Sequence, residues 1–384
     1  YGNGTLTITP QNLRITVKDY TVEYNGKAIP QEALKEQLVL FDAFTADDFE
    51  LVMSGKEYKN AGEYSLSAKP YVNEHPQNEQ EAQDEAERKN LFKNYKIDIV
   101  PGKVTILPKT ITVTMKNKET SFNGKGIVAS DISVADDISV PDTEKDVTFK
   151  VLGTTLEGVK NVGEYSYTAE VVALNGDGTV SSNYTVRSQA GMWKITPVKV
   201  KVKSNGTISK VYDGKPIEIA PSKLTLDFEG TDFQSGNYSV LSVDYDKTVR
   251  SACVGGEIDL SNVRIRDNTT GQECFNFVAT GKVKVTVTKR ALNISIGSIT
   301  VKEGTSETEI NNLVTMGGGY YNLIGLADGD NAVIVLVATR WNQDSPDLYI
   351  MVDEITIIDK FNVNINDMYD FSAIEEVMGS VFFI

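Results

Sequence analysis

Tyr24-Asn25-Gly26-Lys27 returns as Phe122-Asn123-Gly124-Lys125 and again as Tyr212-Asp213-Gly214-Lys215. The three glycines stand 98 and then 90 residues apart, and a further 90 reaches Gly304 in Lys302-Glu303-Gly304-Thr305, a weaker copy. Asn-Gly and Asp-Gly tolerate positive φ and tighten turns, so the period marks a recurring turn. Self-similarity at such a period is the signature of a repeat architecture.

Three more markers follow each turn in the same order. Asn60-Ala61-Gly62-Glu63-Tyr64 recurs as Asn161-Val162-Gly163-Glu164-Tyr165 and, more loosely, as Val254-Gly255-Gly256-Glu257-Ile258. Asn94-Tyr95 is matched by Asn183-Tyr184 and Asn276-Phe277. A closing strand opens on Gly102, Gly191 and Gly281 and then alternates in polarity. The last stretch keeps the frame: Tyr349, Tyr369 and Gly379 lie 91, 92 and 98 residues beyond Ile258, Phe277 and Gly281. Gly4-Thr5-Leu6-Thr7-Ile8 lies 98 residues before the Gly102 strand and reads as the closing strand of a preceding, absent repeat. The expected divisions are therefore residues 1–9 for that strand, then repeats at 10–108, 109–197, 198–289 and a diverged fourth at 290–384.

Within the repeats the apolar period is two. Ile15 and Val17, Ile111 and Val113, Val198, Val200 and Val202, and Val283, Val285 and Val287 alternate with polar residues. That is the pattern of half-buried strands with one face in water. Such strands, separated by turns over ~95 residues, predict an all-β chain, a tandem array of Ig-like β-sandwich domains. Closing strands run into opening strands through Thr9-Pro10-Gln11, Leu107-Pro108-Lys109 and Thr196-Pro197-Val198, with Lys289-Arg290 at the last junction. Proline holds its own φ near −65° and the preceding residue extended, so the expected array is an elongated rod.

Composition narrows the partners. The formal net charge is −15, which repels phosphate backbones and anionic lipid, so neither nucleic acid nor a membrane surface is expected as partner. No apolar run approaches the ~18 residues of a membrane span.

The four markers together resemble the MBG/YDG group of Ig-like repeats, found in large surface proteins of bacteria. The likeness is close through residue 290 and loose beyond it. It implies an extracellular, cell-surface structural stalk of an adhesin-like protein whose partners are neighbouring repeats, and it brings no catalytic residues with it.

Chemistry is sparse. His75 is the sole histidine and lies beside Pro76 in the polar run 74–90, which breaks the repeat pattern and reads as a solvated insertion, with at most a helical turn. A nucleophilic triad needs a positioned imidazole, so this histidine predicts none. No Gly-x-Gly-x-x-Gly, phosphate loop or paired-His motif is present, and Asp47-Asp48 and Asp136-Asp137 fall in surface-like runs. No enzyme activity and no cofactor are expected. Asp328-Gly329-Asp330-Asn331 and Asn175-Gly176-Asp177-Gly178 gather oxygen donors but lack the EF-hand spacing, so Ca2+ is weighed against ordinary turns and the turns are preferred.

Cys253 and Cys274 both fall in the third repeat. A bridge is the default in a secreted chain, yet a hairpin of 257–265 with 273–278 would leave them more than ~30 Å apart along the strand, against a limit of ~7 Å. Sequence leaves that pairing open. Asn94, Asn183 and Asn276 invite comparison with Lys–Asn isopeptide crosslinks; an asparagine opening a strand is the simpler reading. A glycan or protein ligand, if there is one, is expected on the fourth repeat. That repeat drifts furthest and carries Tyr320, Tyr321 and Trp341 as candidate contacts.

Overall fold

The computed structural model describes residues 5–247, 256–316, 319–340, 345–374 and 376–384. The chain is all-β in character, an array of Ig-like β-sandwiches. It divides into two compact units, Tyr1–Thr196 and Pro197–Ile384. Among the described residues every strand pairing stays inside one of the windows 11–107, 109–196, 198–288 and 290–383. Residues 5–10 form no strand, and Leu6 and Ile8 are exposed.

The four windows share one wiring. The opening strand pairs in parallel with the strand after the Asn-aromatic marker, in the registers Gln11↔Tyr95, Lys109↔Tyr184, Val198↔Phe277 and Arg290↔Tyr369. The chain then bends, and a short companion strand pairs in parallel with the closing strand: Tyr20↔Val104, Lys118↔Trp193, Ile208↔Val285 and Ile299↔Val381. The Gly-Glu-Tyr strand joins the other side of the closing strand antiparallel, as Tyr64↔Val104 and Tyr165↔Trp193. In the first, second and fourth repeats one N-terminal segment thus serves two separate sheets, whereas in the third both of its strands pair with the single long strand Phe277–Thr288 and the sheet is continuous. The apolar alternation fills the interior in each. Ile15, Val17, Ile111, Val113, Val200, Val202 and Val283 are buried as the period-two reading requires, while Val198 is half-buried.

The crossing between sheets explains the glycine that opens each closing strand. A β-carbon on Gly102 would lie 2.5 Å from the Val17 carbonyl oxygen, and one on Gly191 2.6 Å from that of Met115. Gly281 and Gly379 meet the carbonyls of Val202 and Gly297 closer still. No side chain fits where one backbone presses on another. The turn marker has an equally local cause. Asn25, Asn123 and Asp213 each accept the N–H of the residue two ahead at 2.9–3.0 Å, and the glycine between them holds φ of +72° to +80°.

Two helices depart from the sequence reading. The polar run is not a solvated loop: Glu79–Lys93 is a helix of 15 residues, capped by the Asn78 side chain. Its docking face is ionic, which is why no apolar stripe betrays it. Arg88 bridges buried Glu85 at 2.9 Å and Asp48 at 3.1 Å and lies over the Tyr71 ring, while Leu91 and Phe92 pack on the core. In the fourth repeat, Glu307–Met316 is a helix that buries Ile310 and Val314. It also covers the outer edge of the strand Asn331–Arg340. Asn311 pairs with both the N–H and the C=O of Ala338, and Thr315 donates to the Leu336 carbonyl. Side chains thereby replace a neighbouring strand on part of an apolar edge that would otherwise be open to pairing. No helix among the described residues is long and apolar enough to cross a membrane.

Gly191→Ala should lower the stability of the second repeat by about 2 kcal/mol, the usual range for forcing atoms into packed structure. Gly176→Ala, with nothing within 4 Å of its new β-carbon, should leave the melting curve unchanged.

Candidate functional site

Where two repeats share a unit, the markers meet across the joint. In the first unit the Tyr24 ring stands edge-on to Tyr184 of the next repeat, centroids 5.3 Å apart and planes at 84°. Beside them the Asn183 carboxamide reaches back: its oxygen accepts from Ala61 N–H at 2.7 Å, and its nitrogen donates to Asn60 Oδ1 at 3.2 Å. Burial, then the neighbouring Tyr24 hydroxyl, pushes the Tyr184 phenol above its ordinary value. The joint is therefore an aromatic contact with its polar rim satisfied, the arrangement that makes a small interface specific. Lys109, the first residue after the connecting proline, pairs with the buried carboxylate of Glu144 and fixes the start of the next repeat.

The second unit repeats the device with different polar partners. Tyr212 stands edge-on to Tyr369 at 5.5 Å and 76°. Tyr369 is fully buried; its hydroxyl donates to Asp330 Oδ2 at 2.6 Å and accepts from Ala327 N–H at 2.9 Å. Burial first, and then the Asp330 hydrogen bond, holds its phenol well above the usual tyrosine range. Arg290 crosses the joint, donating to the carbonyls of Gly325 and Tyr212. Gly214 packs on the backbone of the fourth repeat, where a β-carbon would stand 3.2 Å from the Asp328 oxygen. Sequence reading took these markers as a turn and a strand start. The available signal was that each carries an aromatic residue at a fixed place.

The asparagines singled out earlier have main-chain duties as well. The carbonyls of Asn94, Asn183 and Asn276 accept the first N–H of their opening strands, those of Gln11, Lys109 and Val198. The side-chain partners of Asn183 are Asn60 and Ala61, neither of them a lysine. Tyr320 and Tyr321 do not form an exposed platform: both are half-buried and pack against the core of the fourth repeat. Trp341 and Cys253 lie outside the described residues. Cys274 is half-buried opposite Ile265.

The two oxygen-rich loops are turns. Asp177 accepts both the N–H and the hydroxyl of Thr179, and these bonds hold its carboxyl below the ordinary range. Asp330 is engaged by Tyr369. Among the described residues no group of three or more His, Cys, Asp or Glu side chains is placed to hold a metal ion. His75 sits in an exposed loop. The carboxylate pairs need correction, because each splits. Asp47 is exposed and meets Lys35, whereas Asp48 turns inward to Arg88. Asp137 is buried against Lys118 at 2.7 Å while Asp136 faces solvent. A polar run in sequence hid two structural charges.

Asn183→Ala should cost about 1 kcal/mol at the first joint and speed hydrogen exchange at Ala61 roughly fivefold, with amides in the third and fourth repeats unchanged. Alkaline pH should loosen the second joint. A tyrosine whose folded pKa is raised stabilises fully below about pH 10, where the unfolded phenol is still neutral, and loses that contribution as pH climbs toward its folded value. Denaturation midpoints of the wild type should fall more steeply between about pH 10 and 12 than those of Tyr369→Phe.

No protein-family model and no curated protein matches this sequence. Solved structures that align with most of this chain do so at low identity and low TM-score. The Drosophila N-cadherin EC1-4 segment is 9% identical, with 96% of this chain and 100% of that chain covered and a TM-score of 0.17. The cadherin-like domains 1 to 4 of zebrafish RET are 7% identical over 99% and 100%, with a TM-score of 0.17. The Bacillus anthracis TIE protein is 9% identical over 87% and 65%, with a TM-score of 0.20. Scores of this size carry no argument about function.

Proposed function

We propose that this chain is a non-catalytic spacer, a run of Ig-like repeats of the MBG/YDG kind standing outside a bacterial cell in an adhesin-like surface or secreted protein. The observation that supports the reading is the use made of the recurring residues. In both units the aromatic of one repeat's turn closes on the aromatic strand start of the next. A binding module keeps its distinctive side chains free for a ligand; these are spent on holding neighbours. The partner of each repeat is thus the adjoining repeat of the same chain. The rival assignment of a ligand site to the fourth repeat is the less favoured, since Tyr320 and Tyr321 are half-buried against that repeat's core.

A spacer works by reach. Strands rising ~3.3 Å per residue give repeats on the order of 40 Å long, and four joined by stiff connections should extend roughly 150 Å. Small-angle scattering should then return a radius of gyration of about 40 Å. A value near about 21 Å, that of a compact globule of this length, would overturn the spacer reading.

A further inference from the structure

One repeat breaks the shared pattern at a place where the other three agree. In the parallel pairing of companion and closing strands, the residues in register are Tyr20 with Val104, Ile208 with Val285 and Ile299 with Val381. In the second repeat the same pair is Lys118 with Trp193. Lys118 stands over the indole at 4.7 Å, donates to buried Asp137 at 2.7 Å and to the Asp131 carbonyl at 2.6 Å. The indole N–H donates to Thr120 Oγ1 at 2.9 Å, where the first repeat has Val22. A buried ion pair rarely adds stability over apolar side chains of like volume, and three sister repeats use the apolar solution. A departure of this kind is the sort that function retains.

The exchange also changes the surface. Between this pair and the Asn123-Gly124-Lys125 turn lies a groove of about 470 Å³, whereas the matching groove of the first repeat, with Tyr20 and Val22 in its wall, holds about 70 Å³. Lys125 and Lys160 flank the larger one, both exposed and neither in an ion pair among the described residues. Lys118 is neutralised by Asp137, but Lys125 and Lys160 still outnumber Asp131, the one carboxylate in the lining, so the groove is cationic on a chain of net charge −15. Lining oxygens and amides come from Thr120, Ser121 and Asn123. A volume of that order exceeds a bare phosphate and suits one or two sugar rings.

We propose that this groove of the second repeat binds a carboxylate-bearing sugar. Lys125 and Lys160 take the carboxylate, and the Asn123 and Ser121 side chains take ring hydroxyls. Exposed Val128 supplies the apolar contact at the groove's wall, and Trp193 lies buried beneath Lys118, close enough to report occupancy. The proposal stands apart from the spacer reading, since a spacer needs no ligand and the groove makes no use of the joints.

The test is a fluorescence titration of the full chain carrying Trp341→Phe, so that Trp193 alone reports. Digalacturonate should give a saturable change, and its neutral counterpart digalactose should give none at the same concentrations. Lys125→Glu with Lys160→Glu, both on exposed side chains, should weaken binding at least about tenfold. The matching first-repeat changes, Lys27→Glu with Lys59→Glu, should leave it unaltered. The proposal is overturned by the absence of a saturable response to digalacturonate, or by an equal response to digalactose. Displacement by inorganic phosphate at equal concentration would also overturn it, as would an equal loss from the first-repeat control.

Discussion

Each repeat is organised by one close approach. Where the opening strand leaves the first sheet for the second, its carbonyl occupies the space that a β-carbon on the closing strand would need. That approach lets a single N-terminal segment pair in parallel with two strands in three of the repeats, and with two stretches of one long strand in the third, and so ties the sandwich together at its own beginning. The closing strand must offer glycine there, and the apolar alternation on either side must keep phase through the bend. Once both conditions hold, the order of the remaining strands follows from which edges are left open.

The repeat joints extend the same economy. A strand that begins on an Asn-aromatic pair must present that pair at the end of its domain, and the turn of the preceding repeat presents another aromatic at the facing end. Edge-on contact is a geometry that aromatic pairs prefer, because the positive ring edge meets the negative face. The polar rim differs between the two joints: an asparagine amide serves the first, an arginine and a buried tyrosine–aspartate hydrogen bond the second. The common element is therefore aromatic, and the polar partners vary around it.

The sequence reading failed where charge did the work of hydrophobicity. The helix Glu79–Lys93 has no apolar stripe because its docking face is the Glu85–Arg88–Asp48 cluster, and hydropathy periodicity is blind to paired charges. Asp137 escaped for the same reason: within a polar run nothing distinguishes a carboxylate that turns inward toward a lysine. The helix Glu307–Met316 was missed because it lies in the diverged repeat, where the markers fade. Tyr320 and Tyr321 are candidate contacts in sequence because the fourth repeat drifts furthest, and divergence of sequence does not reveal that both rings pack, half-buried, against the fourth core.

By itself, the sequence determined the period, the positive-φ turns, the glycine of each closing strand and the alternation that makes strands. All of these are local requirements of backbone conformation and burial, written within a few residues. Only the tertiary structure decided which markers meet across a joint, which acidic residues are buried, and that the second repeat alone replaces an apolar pair with a lysine over tryptophan. Those outcomes depend on side chains distant in sequence arriving at one place, and no local pattern records that arrival.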